Sequence, residues 1–142
     1  MYKDGVNVYD TTTRNLKWSS IGANYDFSFQ GGSSPVVANG FAHIVIDGNI
    51  NGKVYVYNVN TGVKVSEYGG NIHESDITIV NGFSYFGTRD IFNTYNGYLY
   101  AVKINPDGSV ASGWRSTILS DFRTTPCVVT ASGKMYRAGD SF

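Results

Sequence analysis

The sequence predicts an all-β protein assembled from copies of one sheet-forming unit. Three observations carry the prediction: the kind of apolar residue, the density of turn residues, and a two-part pattern that returns three times. Val 15, Ile 10, Thr 11, Tyr 11 and Phe 8 dominate the 142 residues, against Leu 3 and Glu 2. β-Branched and aromatic side chains fit a pleated surface and lose χ1 freedom in a helix. Gly 17, often beside Asn or Asp, supplies turns between short strands.

The first half of the pattern is an alternating apolar strand that runs into a turn. It reads Val6-Asn7-Val8-Tyr9-Asp10, then Val54-Tyr55-Val56-Tyr57-Asn58, then Leu99-Tyr100-Ala101-Val102-Lys103. The second half is a small polar residue, a short apolar strand, a Gly turn and another strand. Its turns fall at Asn39-Gly40, Asn81-Gly82 and Ser132-Gly133. Asn-Gly between apolar runs is a strong hairpin signal, because both residues tolerate φ > 0. The two halves interleave in the same order each time. Each unit therefore carries four short strands in roughly 40–50 residues, the period of a propeller blade. The expectation is a single domain over 1–142: a partial β-propeller of three four-stranded antiparallel blades, with units at about 1–50, 51–96 and 97–142.

Gly97-Tyr98-Leu99-Tyr100-Ala101-Val102, Gly52-Lys53-Val54-Tyr55-Val56-Tyr57-Asn58 with Thr61-Gly62, and Leu16-Lys17-Trp18 resemble PQQ-like β-propeller repeats. Ser34-Pro35-Val36-Val37 and Thr125-Pro126-Cys127-Val128-Val129 resemble that family's segment opening the following strand. The likeness covers nearly the whole chain. Copy three departs after its first strand, at Asn105-Pro106-Asp107-Gly108, and copy two lacks the closing Trp. The resemblance implies an extracytoplasmic or cell-surface protein and a ring of more than three blades. The chain is therefore expected to be a piece of a longer protein, or to close its ring by self-association. Enzymes of that family hold the quinone with stacked Trp, adjacent cysteines and acidic calcium ligands. Cys127 is the single cysteine, so binding of PQQ is not carried over.

Charge narrows the partners. Lys plus Arg and Asp plus Glu are 11 each, for a formal net charge of zero. A phosphate-tracking protein needs a basic face, so nucleic acid is not expected as a partner. No apolar run approaches the ~18 residues of a membrane span. The opening MYKDGVNVYD has no apolar stretch of the signal-peptide kind.

Few residues single themselves out for chemistry. Asp47-Gly48-Asn49-Ile50-Asn51-Gly52 follows the opening of a calcium loop, with Asp47, Asn49 and Asn51 as the candidate metal ligands. Only Asp47 is charged, and the same residues make an ordinary turn between strands. His43 aligns with Tyr85 and Tyr136, a packing slot with a polar tip. His73 precedes a strand with no second ligand near it. Glu67, Glu74, Asp76, Asp90 and Asp121 select no pair for acid–base work. Cys127 falls in a strand slot shared with apolar residues. In the long loops, Tyr25, Phe27, Phe92 and Tyr95 offer an aromatic contact surface for a protein or a glycan. The functional expectation is a non-catalytic repeat module with no cofactor, acting as a scaffold or binding surface. The alternatives are a piece of an extracytoplasmic PQQ-like oxidoreductase, its active residues in other blades, and a glycan-processing propeller enzyme.

Overall fold

The structure is a computed structural model that describes residues 5–21, 34–46, 52–70, 72, 76–89, 96–115, 119–120, 128–129, 132 and 134–136. All regular elements among these are strands. The first sheet pairs β1 (Gly5–Tyr9) with β2 (Leu16–Ile21). The second runs in the order β3 (Val36–Ala38), β4 (Phe41–Ile46), β5 (Lys53–Asn58), β6 (Lys64–Tyr68). The third repeats that order with β7 (Ile77–Val80), β8 (Phe83–Arg89), β9 (Asn96–Ile104) and β10 (Val110–Arg115), and β11 (Leu119–Ser120) continues beside β9. The fourth pairs β12 (Val128–Val129) with β13 (Met135–Tyr136). All pairings are antiparallel.

The turn chemistry follows the sequence closely. Asn39-Gly40 and Asn81-Gly82 take φ of 52°, 82°, 51° and 74° in turn, the two positive values that a two-residue hairpin needs to match strand twist. They bring Ala38 opposite Phe41 and Val80 opposite Phe83. The next connection is equally regular. Asn58 donates its N–H to Val63 O (2.9 Å), and its side chain accepts from the N–H groups of Asn60 (2.9 Å) and Thr61 (3.1 Å). Asp10 does the same with Asn15 O (2.9 Å) and with the N–H groups of Thr12 (2.9 Å) and Thr13 (2.8 Å). Both turns end on a left-handed residue, Gly62 (φ 72°) in one and Arg14 (φ 61°) in the other. A Cβ in that region costs about 1–2 kcal/mol. Arg14→Gly is therefore expected to raise stability, by about 1 kcal/mol after the added freedom of the unfolded chain is subtracted. Urea unfolding of the two proteins checks it.

The hydrogen-bonded sheets run half a unit out of phase with the repeat units drawn from the sequence. β4 and β5 pair across position 50, and β8 and β9 straddle position 96. A tandem repeat has a period but no intrinsic phase, so the pattern alone does not say where a sheet begins. The described residues accordingly form two sheets of four or more strands and two of two strands, where three sheets of four were expected.

Strand alternation gives each sheet two faces, and the second sheet buries both. Phe41, Val45, Val54, Val56 and Tyr68 face the third sheet and meet Ile77, Phe86 and Ile104, with Ile72 joining from the connection. Ala42, Ile44 and Tyr57 point the other way and meet Val6 and Trp18 of the first sheet. First strand lies beside first strand, β3 by β7, and last beside last, β6 by β10. Phe86 is fully buried and stacks on its cross-strand neighbour Tyr100 at 5.3 Å, with planes 3° apart. Each such side chain contributes about 1.5–3 kcal/mol by leaving water. The stability of the stack therefore resides in the seams between sheets. A four-stranded sheet on its own leaves both apolar faces wet.

Candidate functional site

Among the described residues the buried polar side chains include Thr88 on β8, 4% exposed, and three that bond to one another across a seam. His43 on β4 is 1% exposed, Ser84 on β8 is 0% and Tyr68 on β6 is 6%. Alternation aims all three into the space between the second and third sheets. The Tyr68 hydroxyl donates to Ser84 Oγ at 2.8 Å. Its oxygen lies 3.2 Å from His43 Nδ1. A phenol has one proton. With that proton given to Ser84, the oxygen accepts from His43, so the ring is the neutral tautomer carrying its proton on Nδ1.

Burial governs the electrostatics of this string. It lowers the His43 pKa to about 4, because an imidazolium in the seam would lose its water without gaining a carboxylate. Burial also pushes the Tyr68 phenol above its ordinary range, opposed in part by the Ser84 hydrogen bond. A Ser–Tyr–His string has the composition of a proton relay. With its oxygens buried, the string joins β4, β6 and β8 across the seam.

A second joint ties the first sheet to the second. Trp18 Nε1 donates to Val59 O at 2.8 Å, and its ring lies 6.2 Å from that of Tyr57. The ring rests on Gly62, where a Cβ would come within 2.7 Å of it. By strand register, Ser66 holds the place of Trp18 in the next sheet: Val8 faces Trp18 across β1–β2, and Val56 faces Ser66 across β5–β6. Ser66 Oγ donates to Gly108 O at 2.7 Å, again reaching the last turn of the following sheet. One kind of joint thus recurs with a different donor.

On the solvent side, Glu67 takes hydrogen bonds from Lys53 and Lys64 (2.8 Å). These two contacts hold its carboxyl down at about 2. Lys64 Nζ also sits 5.3 Å from the centroid of the Tyr55 ring. Glu67 is therefore engaged with two cations, and no second acid stands with it among the described residues.

Of the residues singled out in the sequence, His43 sits in the packing slot assigned to it. The aromatic loop residues Tyr25, Phe27, Phe92 and Tyr95, and the calcium candidates Asp47, Asn49 and Asn51, lie outside the described residues. So do His73, Glu74, Asp90, Asp121 and Cys127. Among the described residues no group of three or more His, Cys, Asp or Glu side chains is placed to hold a metal, and no helix is long and apolar enough to cross a membrane. Tyr68 and Ser84 had no mark in the sequence beyond their place in alternating strands. Trp18 and Gly62 were marked as repeat residues, but their contact was not.

The class these observations define is an all-β chain of antiparallel sheets joined through polar and aromatic clasps. No family model, curated protein or solved structure matches it.

Proposed function

We propose that the protein is a non-catalytic repeat module, an arc of PQQ-like β-propeller blades that presents its loops to a protein or carbohydrate partner. The observation that carries this reading is the use made of reactive side chains. His43, Tyr68 and Ser84 are consumed in closing a seam, and Glu67 is neutralised between Lys53 and Lys64. The recurrence of one meander, β3 to β6 and then β7 to β10, supports the propeller part. So does the stacking of equivalent strands on one another. Binding then falls to the loops, where Tyr25, Phe27, Phe92 and Tyr95 give large contact area at low entropy cost. The module is proposed to act outside the cytoplasm and to need no cofactor.

A glycan array probed with the chain tests the binding surface. Retention is expected to fall at least tenfold in the Tyr25→Ala/Phe27→Ala and Phe92→Ala/Tyr95→Ala variants, with far-ultraviolet circular dichroism unchanged. Adding millimolar calcium is expected to change neither retention nor melting temperature. A calcium-dependent rise in melting temperature that Asp47→Ala removes would instead make Asp47, Asn49 and Asn51 ligands. Turnover of an alcohol or sugar with added quinone would overturn the non-catalytic reading.

A further inference from the structure

Two hairpin turns are Asn-Gly, and the side chains of Asn39 and Asn81 both stand exposed at their tips. Among the described residues neither carboxamide is held by a hydrogen bond, and neither Gly40 nor Gly82 donates its N–H. An Asn followed by Gly is a latent electrophile. The Gly nitrogen gives up its proton and attacks the Asn Cγ. A new C–N bond closes a five-membered imide, the bond from Cγ to the side-chain nitrogen breaks, and that nitrogen leaves as ammonia. Water then opens the imide. Cleavage at Cγ gives aspartate. Cleavage at the main-chain carbonyl gives isoaspartate, in which the chain runs through Cβ and Cγ and is one atom longer. Glycine favours the attack because no Cβ crowds its nitrogen. Around Gly40 the space is open, with nothing within 4 Å of where a Cβ would stand.

The closed turn blocks this reaction. With φ positive at both central residues the turn is of type I′, which holds the Gly nitrogen on the far side of the Asn Cα–C bond from Cβ. Cyclisation therefore waits until the hairpin opens, and its rate follows local stability. The hairpins differ in this respect. β3 pairs with β4 at three positions, and β7 with β8 at four. Val37 on β3 is 64% exposed, whereas Ile79 on β7 is half-buried, with β3 alongside. Gly40 is exposed, whereas Gly82 is half-buried. Asn96-Gly97 is the same dipeptide inside β9, where Gly97 is paired with Arg89 on one edge and Leu119 on the other.

We infer that Asn39 is a self-modification site of this chain, converted to isoaspartate by the Gly40 nitrogen, and that conversion releases β3. The extra backbone atom destroys the two-residue spacing that sets Ala38 opposite Phe41 and Val36 opposite His43. It also displaces Gly40 O from the Val59 N–H that it accepts at 3.1 Å. Val36 packs against the core between the second and third sheets, so the change reaches that seam.

The folded chain is kept in mildly alkaline buffer and mapped by peptide mass spectrometry, with fragmentation that separates aspartate from isoaspartate. Conversion at Asn39 is expected to run about tenfold faster than at Asn81 or Asn96, because one missing cross-strand pair raises the open fraction by that order. In urea Asn39 and Asn81 are expected to convert at one rate. Gly40→Ala weakens the hairpin, which by itself would speed conversion, yet the added Cβ is expected to slow it about tenfold. Asn39→Asp supplies the charge without the extra atom. It is expected to keep slow amide hydrogen exchange across β3 and β4, while the converted chain loses that protection and retains it across β7 and β8. Equal rates at Asn39 and Asn81 in the folded chain, a difference that persists in urea, or faster conversion in Gly40→Ala overturns the site. A converted chain with β3 and β4 still protected overturns the release of β3.

Discussion

Gly62→Ala is expected to destabilise the protein by about 3 kcal/mol, while Gly40→Ala costs about 1 kcal/mol, although both glycines have positive φ. The shared part is backbone strain. Gly62 stands at φ 72° and Gly40 at 82°, where an added Cβ costs about 1–2 kcal/mol, offset in part by the stiffer unfolded chain. The difference is the neighbour. A Cβ at Gly40 meets nothing within 4 Å, but at Gly62 it would lie 2.7 Å and 2.9 Å from ring atoms of Trp18. The indole has to move. It then gives up its hydrogen bond to Val59 O, worth about 1 kcal/mol net, and its contact with Tyr57, worth about 0.5–1.5 kcal/mol. A double-mutant cycle isolates the joint. With Trp18→Ala in the background, the cost of Gly62→Ala is expected to fall to the Gly40→Ala value. Urea midpoints at constant slope supply all the numbers. Equal costs at the two glycines would mean that the clasp between the first and second sheets contributes nothing.

That clasp also shows how far the sequence could be read. Short-range chemistry was legible: Asn39-Gly40 and Asn81-Gly82 specify their hairpins by themselves, and the alternation in Val54-Tyr55-Val56-Tyr57 predicts a strand, which the structure buries on both faces at Val54, Val56 and Tyr57. Partners across a seam were not. Trp18 and Val59 are 41 positions apart, His43 and Tyr68 25, and Tyr68 and Ser84 16. No local pattern records which side chain of one sheet meets which of the next. Ser84 looks like a small residue filling a strand position, and only the Tyr68 hydroxyl beside it gives it a role. The phase of the repeat was lost for a related reason, since a periodic chain can be cut anywhere. Arg14 was hidden because its turn carries no glycine, although its φ of 61° matches that of Gly62. Tyr25, Phe92 and Asp47 lie between the periodic segments of the sequence, where neither repeat nor alternation constrains a side chain.

Stability is expected to fall by about 3 kcal/mol as pH drops from 6.5 to 4, and His43→Phe is expected to remove that slope. The His43 pKa goes from 6.5 in the unfolded chain to about 4 in the seam. Between those values the unfolded state binds the extra proton and the folded state does not, so acid favours unfolding. The loss begins near pH 6.5 and is complete near pH 4; across that window one proton costs about 1.4 kcal/mol for each step of one in pH. Among the described residues the neutral Tyr68 hydroxyl lies against the imidazole within the seam, and it stays protonated throughout. Glu67 is held at about 2 by Lys53 and Lys64, so its contribution is present above 4.5 and is lost as pH falls from there to 2. That pair of contacts is solvent-exposed and weakens in salt, whereas His43 is sealed from ions. A slope between pH 6.5 and 4 that survives high salt and disappears in His43→Phe is thus specific to the seam. Chemical-denaturant midpoints across that range measure it. A slope unchanged in the variant would mean that the imidazole is open to water, and that the second and third sheets are not closed against each other at His43.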